Sequence, residues 1–347
     1  MIWFNCDYCE GAHPRILERL AQTNLEQTAG YGADPYCRQA EELIKQACEA
    51  PQAQVHFLCG GTQTNLTVLA ACSRPYQSIL SPVSGHINVH EAGAIEATGH
   101  RIEALPQEKG KITAAQIARI SKAHWEDDNP EFSPQPRTVY ISFPTEYGTL
   151  YTLEELKEIR RVCDENHLFL FIDGARLGYG LTAPGNDVAL TDIAALADVF
   201  YIGGTKIGAL LGEAVVITNP KLQKDFRYFM KQKGGILAKG RLLGIQFLTL
   251  FEDGLYLKIA KHANDMAVQI KKACVQAGLP FLYDSPTNQQ FPILPNDMLA
   301  TLEETYAFAH MGRVDKNHSA IRICTSWATR QEDVDQLIAD IFKLAGK

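Results

Sequence analysis

The chain lacks a Gly-Lys-Ser/Thr phosphate loop, and no Gly-x-Gly-x-x-Gly turn follows its first strand-like run. Those absences remove the signatures of a nucleoside triphosphatase and of a dinucleotide-binding oxidoreductase. It has no dense basic block. Lys plus Arg number 33 against 40 Asp plus Glu, a net charge of −7, so neither nucleic acid nor an anionic membrane surface is an expected partner. No apolar run is long enough to span a bilayer. Met1 to Asp7 has no basic region leading into an apolar one, so a secretory signal is not expected. The nine cysteines are odd in number and mostly scattered, the usage expected of reduced thiols in a cytoplasm. Cys6 and Cys9 form one CxxC, but no second pair or metal-ligand spacing accompanies it, and no metal is expected. Low-complexity tracts and internal repeats are also missing. What remains is ordinarily globular, 46% hydrophobic and 21% charged, and long enough to bury a large core.

The stretch from Leu168 to Lys206 organises the rest. Leu168 to Ile172 is a short continuous apolar run, which predicts a strand buried on both faces. It ends at Asp173-Gly174-Ala175-Arg176. A second run, Asp198 to Ile202, ends at Gly203-Gly204-Thr205-Lys206. Two buried strands thus each deliver an ionisable residue at the C-terminal end, the edge where open α/β sheets bind ligands. An amine nucleophile beside a carboxylate is the pair that pyridoxal phosphate (PLP) chemistry needs. Lys206 would form the Schiff base, and Asp173 would hold the ring nitrogen protonated.

The other candidates fall on the same edge. Val55 to Cys59 predicts a strand, and Gly60-Gly61-Thr62 then opens a helix. Backbone N–H groups, the helix dipole and Thr62 can there face a single phosphate. Ser78 to Leu80 is followed by Ser84-Gly85-His86, which places an imidazole where it could stack on a flat cofactor and move protons near neutral pH. Thr138 to Phe143 ends at Pro144-Thr145-Glu146-Tyr147. Gly30-Tyr31-Gly32 sets an aromatic between flexible points, as in a lid. With Arg101–Leu105 and Gly212–Thr218, these runs predict a doubly wound, mostly parallel sheet of about seven strands. Thr113–His124 and Leu153–Glu165 supply crossover helices, the latter begun by Thr152 with Glu155 in a capping box. Residues 1–250 are expected to form the large domain, and 251–347 a smaller α+β unit with a strand at Arg322–Cys324 and a last helix at Gln331–Leu344. The N-terminal segment is expected to pack on the small domain or on a partner subunit.

Tyr31-Gly32, Gly61-Thr62, His86 with Glu91, Asp173-Gly174-Ala175-Arg176, Lys206, Gly234-Gly235 and Arg322 occur in an order that resembles the aspartate-aminotransferase-like (fold type I) PLP enzymes. Within them, the chain is similar to the low-specificity L-threonine aldolases of the β-eliminating lyase group, over nearly its whole length. The resemblance implies PLP held by Lys206 and paired to Asp173, with His86 stacked over the ring. It implies phosphate contacts from Gly61, Thr62 and Thr205, with Arg176 near the ring hydroxyl or the substrate. Arg322 is implied as the clamp for the amino-acid carboxylate, with Tyr31 and Glu91 also on the substrate side. Active sites would be shared across a dimer, with Lys231 or Lys239 and Tyr31 acting on the partner's site, and two dimers forming a tetramer. Two positions depart from the pattern. Where many members carry a His, the loop reads Pro144-Thr145-Glu146-Tyr147, which leaves the base open between His86 and Glu146. Where many carry an Arg after Gly-Gly, Ala238 stands with Lys239 beside it.

The activity so implied is cleavage of L-threonine, L-allo-threonine or a related β-hydroxy-α-amino acid to glycine and an aldehyde. β-Elimination on another amino acid and phenylserine-type cleavage remain alternatives, because PLP activates every bond at Cα. A non-PLP nucleotide-binding protein or an idle binding module is disfavoured by the lack of GxGxxG and by the full set of PLP contacts.

Overall fold

The computed structural model describes residues 1–347. Seven strands form the main sheet: β1 (Gln54–Leu58), β2 (Gln77–Pro82), β3 (Arg101–Leu105), β4 (Gln135–Ser142), β5 (Phe169–Asp173), β6 (Val199–Gly203) and β7 (Glu213–Ile217). Their spatial order is β1-β7-β6-β5-β4-β2-β3. Neighbours are parallel except at β7, which runs antiparallel to both β1 and β6. The principal helices are α1 (Pro14–Gln22), α2 (Pro35–Ala47), α3 (Gly61–Cys72), α4 (Ala114–Trp125), α5 (Leu153–Glu165), α6 (Arg241–Phe251), α7 (Leu255–Ala277) and α8 (Gln331–Leu344).

The apolar runs become central strands because helices cover both faces. On β5, Leu170 and Ile172 enter one core, while Phe169 and Phe171 enter the other. On β6 the same division separates Phe200 and Ile202 from Val199 and Tyr201. Each large side chain so buried contributes about 1.5–3 kcal/mol. A one-residue slip of β5 would exchange the two sets, so the register is firmly held. Asp173, two residues beyond Phe171, must therefore emerge on the Phe171 face. It pairs with Ser142 as the last residue of β5, one position past the strand end expected from the sequence.

Helix α2 is an element the sequence reading passed over. Its signals are local: the Asp34 side chain accepts from Cys37 N at 2.9 Å, and Pro35 occupies the first turn. Beyond α6, the 23-residue α7 packs Tyr256, Ile259 and Ala263 on the large core, and Ile270 and Cys274 on a separate one. That second core lies under an antiparallel sheet, β8 (Ile293–Pro295), β9 (Ala309–Arg313) and β10 (His318–Cys324), ordered β8-β10-β9. Ile2–Trp3 pairs with Tyr306–Ala307, and Cys324 N donates to Phe4 O at 2.7 Å, so the first residues lie against this C-terminal unit. No helix is long and apolar enough to cross a membrane.

Candidate active site

Parallel strands present their C-terminal ends on one edge, and reversed β7 begins there. Gly61, His86, Glu146, Asp173, Arg176 and Lys206 line one cleft on that edge. The cleft opens into a cavity of about 880 Å³, walled on the far side by Arg322, His310 and Met311 of the C-terminal unit. Of the residues singled out in the sequence, these seven, counting Arg322, are brought together.

Asp173 is only 4% exposed. Its Oδ1 accepts from Tyr201 Oη at 2.5 Å and Ala175 N at 3.0 Å. Its Oδ2 accepts from Tyr140 Oη at 2.5 Å and Asn65 Nδ2 at 3.2 Å. Tyr140 and Tyr201 reach it because both belong to the Phe171 side of the sheet. Asn65 reaches it from α3, the helix covering that side. Gly174 follows for a steric reason: a Cβ there would lie 1.9 Å from the carbonyl oxygen of Tyr201.

Lys206 sits on the turn after β6. Gly204 N and Thr205 N both donate to Gly212 O, at 3.0 and 3.1 Å, and Tyr179 Oη donates to Lys206 O at 2.5 Å. Burial lowers the Lys206 amine's pKa, and the Arg176 charge lowers it further. The Asp7, Glu213 and Asp173 charges oppose that shift without cancelling it; Asp7 also holds Arg176 in a two-pronged pair, Nε–Oδ2 2.7 Å and Nη2–Oδ1 2.9 Å. Burial alone would raise the Asp7 carboxyl, but Arg176 outweighs it and holds the carboxyl below its usual value.

His86 is oriented by Glu91, whose Oε1 lies 2.7 Å from Nδ1 and also accepts from Asn65 Nδ2 at 2.7 Å. Asn65 thereby bridges the Glu91 and Asp173 carboxylates. The Glu91 side chain is fully covered and lines neither part of the cavity, so it reaches the reacting region through His86 and does not face a substrate. Glu146 Oε1 accepts from His86 N at 2.9 Å and Ser142 Oγ at 2.8 Å, while Oε2 is buried without a partner. Burial, and secondarily the Asp173 charge, raise its pKa. Arg322 donates from Nη2 to Asn5 O at 3.0 Å and from Nη1 to Gln289 Oε1 at 3.3 Å, leaving Nε buried and unpaired.

Other candidates lie elsewhere. Helix α3 has no side-chain cap, so its first N–H groups are left without a side-chain acceptor, but Thr62 is exposed and borders neither part of the cavity. Thr205 turns inward and donates to Glu213 Oε1 at 2.9 Å. Tyr31, Lys231 and Lys239 are exposed and do not border this chain's cavity. Lys231 Nζ instead lies 5.5 Å from the centre of the Tyr31 ring, and Tyr31 N donates to Ala238 O at 3.1 Å. No group of three His, Cys, Asp or Glu side chains is placed to hold a metal ion.

Asp7, Asn65, Tyr140, Tyr201 and Glu213 were missed in the sequence. Period-two alternation along β4, β5 and β6 would have found the tyrosines. Nothing local to Asp7 points to Arg176, 169 positions away.

A doubly wound sheet with its lysine, carboxylate and imidazole on one edge defines the aspartate-aminotransferase-like class. Thermus thermophilus aspartate aminotransferase superposes with a TM-score of 0.71 at 13% identity, over 99% of this chain and 91% of that one. The model of the beta-eliminating lyase family matches residues 5–296, and the chain belongs to that family of PLP-dependent lyases. Among its relatives, the low specificity L-threonine aldolase of Pseudomonas aeruginosa is 30% identical over 99% of this chain and 98% of its own. The Leishmania major threonine aldolase structure superposes with a TM-score of 0.96 at 42% identity, covering 99% of this chain and all of that one.

Proposed function

We propose that the chain is a PLP-dependent aldolase that cleaves L-threonine, L-allo-threonine or a related β-hydroxy-α-amino acid to glycine and an aldehyde. The observation that carries this reading is a cleft that Lys206 lines together with Asp173 and His86, with Arg322, its Nε unpartnered, across the adjoining cavity. The donor set fits PLP. Lys206 suits its aldehyde, the uncapped start of α3 at Gly61 suits its phosphate, and Asp173 Oδ1, beside the Tyr201 hydroxyl, suits its ring nitrogen. When bound, PLP supplies an electron sink for the pair released by a bond broken at Cα.

The chain's own residues do the rest. Arg322 from the wall opposite the sheet, and Arg176 from the sheet edge, hold the substrate carboxylate. Glu91 fixes the His86 ring through Nδ1, leaving Nε2 to take the β-hydroxyl proton as Cα–Cβ breaks. Glu146 Oε2 is the second group able to hold that proton. Cα then receives a proton and glycine leaves. Tyr31, Lys231 and Lys239 face outward as a cluster, which supports a dimer in which they complete the partner's site, and a tetramer built from two such dimers. We further propose residues 1–250 as the cofactor-binding unit and 251–347 as the unit that carries the carboxylate clamp. The free thiols support a reducing, cytoplasmic setting.

The test is the visible spectrum of the purified protein before and after borohydride, with aldehyde assay on L-allo-threonine. A yellow band that bleaches, a label mapped to Lys206 and its loss in Lys206→Ala are expected, with acetaldehyde released. A colourless protein that PLP cannot reconstitute would overturn the reading. A yellow one that releases no aldehyde would move the activity to β-elimination.

A further inference from the structure

The CxxC at Cys6–Cys9 takes no part in the chemistry above, yet it sits against it. Cys6 Sγ and Cys9 Sγ lie 3.2 Å apart and are not joined, and Cys9 Sγ also approaches Asn5 Oδ1 at 3.5 Å. Cys9 is exposed and Cys6 partly so; of the other seven cysteines only Cys59 is not buried. The two residues between them both belong to the substrate site. Asp7 holds Arg176 in the two-pronged pair, and Tyr8 lines the large cavity. The preceding residue, Asn5, gives its carbonyl to Arg322. Both arginines that face the substrate carboxylate are thus braced by one short loop, and that loop carries a pair of apposed thiols at its ends.

We infer that Cys6 and Cys9 form a reversible thiol–disulfide site whose state sets how well the cavity holds an amino-acid carboxylate. The oxidant is a peroxide. One thiolate attacks a peroxide oxygen and breaks the O–O bond, giving a sulfenic acid and hydroxide. The second thiol then displaces that oxygen as water, so two thiols and one hydrogen peroxide give one disulfide and two waters. A dithiol reductant reverses it. Burial and the contact with Cys6 push the Cys9 thiol up to about 12, so attack from Cys9 quickens as pH rises. Bonded sulfurs stand about 2.05 Å apart. Closing the ring therefore contracts the loop beneath Asp7, whose side chain is fully covered and held to Arg176 by two hydrogen bonds. The substrate-holding part of this inference rests on the function proposed above; the disulfide itself does not.

The experiment treats the full-length enzyme with hydrogen peroxide and follows two readouts. The first is the mass of the tryptic peptide ending at Arg15, which holds Cys6 and Cys9 and no other cysteine. It is expected to become lighter by two hydrogens, to recover with dithiothreitol, and to stay unchanged in Cys9→Ser. The second is the dissociation constant of glycine, read from the cofactor spectrum. It is expected to rise by about 3- to 10-fold in the oxidised protein, roughly a 1 kcal/mol effect, and to stay unmoved by peroxide in Cys9→Ser. A peptide whose mass does not fall, or a disulfide form that binds glycine as the dithiol does, would overturn the inference. Failure of glycine to bind in both forms would instead overturn the site assignment on which its second half rests.

Discussion

Arg322 offers the sharpest test of how the cavity grips its substrate. A guanidinium has five N–H donors. Here one from Nη2 is used by Asn5 O and one from Nη1 by Gln289, which leaves three, including a buried Nε–H with nothing to bond. A carboxylate entering the cavity satisfies that orphan and gains a second, parallel bond. Hydrogen bonds to charged groups are worth about 1.5–3 kcal/mol each, so Arg322→Ala should weaken substrate binding by about 3–4 kcal/mol. That corresponds to a KM increase of about 100- to 1,000-fold, with kcat changed far less because the bonds are present before and during the reaction. The assay compares L-allo-threonine with its carboxamide, which keeps the shape and lacks the charge. The wild-type enzyme should favour the acid strongly, while Arg322→Ala should lose most of that preference and keep only the part that Arg176 supplies. Arg322→Lys, keeping charge without the fork, should recover only part of the preference. Thermal unfolding checks that Ala, by freeing the Asn5 carbonyl, has not loosened the N-terminal loop. An acid-to-amide ratio undiminished in a folded Arg322→Ala enzyme would refute the clamp.

Two further substitutions separate site from scaffold. Gly174→Ala drives a Cβ to within 1.9 Å of a carbonyl oxygen, so β5 and β6 must part; a loss of about 1–3 kcal/mol in urea unfolding, with weaker cofactor retention, is expected, and wild-type values for both would count against the close approach. Asp7→Asn leaves the largely buried Arg176 charge without its partner and should cost about 3 kcal/mol; a urea midpoint unchanged from wild type would show that solvent in the cavity suffices to hold that guanidinium.

The sheet is legible in the sequence because its strands are buried on both faces and read as continuous apolar runs, with Gly, Pro and capping residues marking where each ends. The edge residues are legible for the same reason: a strand end is visible, and the side chain just beyond it can be named. What fails is anything set by contacts distant in the chain. Asp7 is a surface-loop acid until the fold carries it to Arg176. Thr205 reads as a phosphate ligand beside Lys206, yet the tight turn aims its hydroxyl at Glu213. The resemblance implies Glu91 on the substrate side, whereas its side chain is fully covered and bonded to His86 Nδ1. The thinner hydrophobic pattern of the C-terminal unit shows its last strand and helix and hides β8 and β9, which are short and partly exposed.

Glu213 turns one of those hidden contacts into a prediction. It opens β7 on the ligand edge, paired in register with Gly203 and with Leu58, and its Oε2 accepts from Gly204 N at 3.1 Å. Burial pushes its carboxyl up to about 7, against the pull of Lys206 and of its hydrogen bonds. An acid whose pKa is raised by folding binds more protons in the folded than in the unfolded chain between the two values. Stability therefore falls as pH rises through that window, here from about 4.5 to about 7. Integrated between pH 5 and pH 8, the loss is about 2–3 kcal/mol. Glu213→Gln removes the titration but keeps an acceptor for the Thr205 hydroxyl. Its fixed cost, an amide N–H facing the Gly204 N–H, is the same at every pH. The difference in urea-unfolding free energy between variant and wild type should thus move in the variant's favour by about 2–3 kcal/mol from pH 5 to pH 8. A difference that is flat across this range would mean that Lys206 keeps Glu213 ionised at no cost, so that the two act as an ion pair and not as a buried acid beside a free amine.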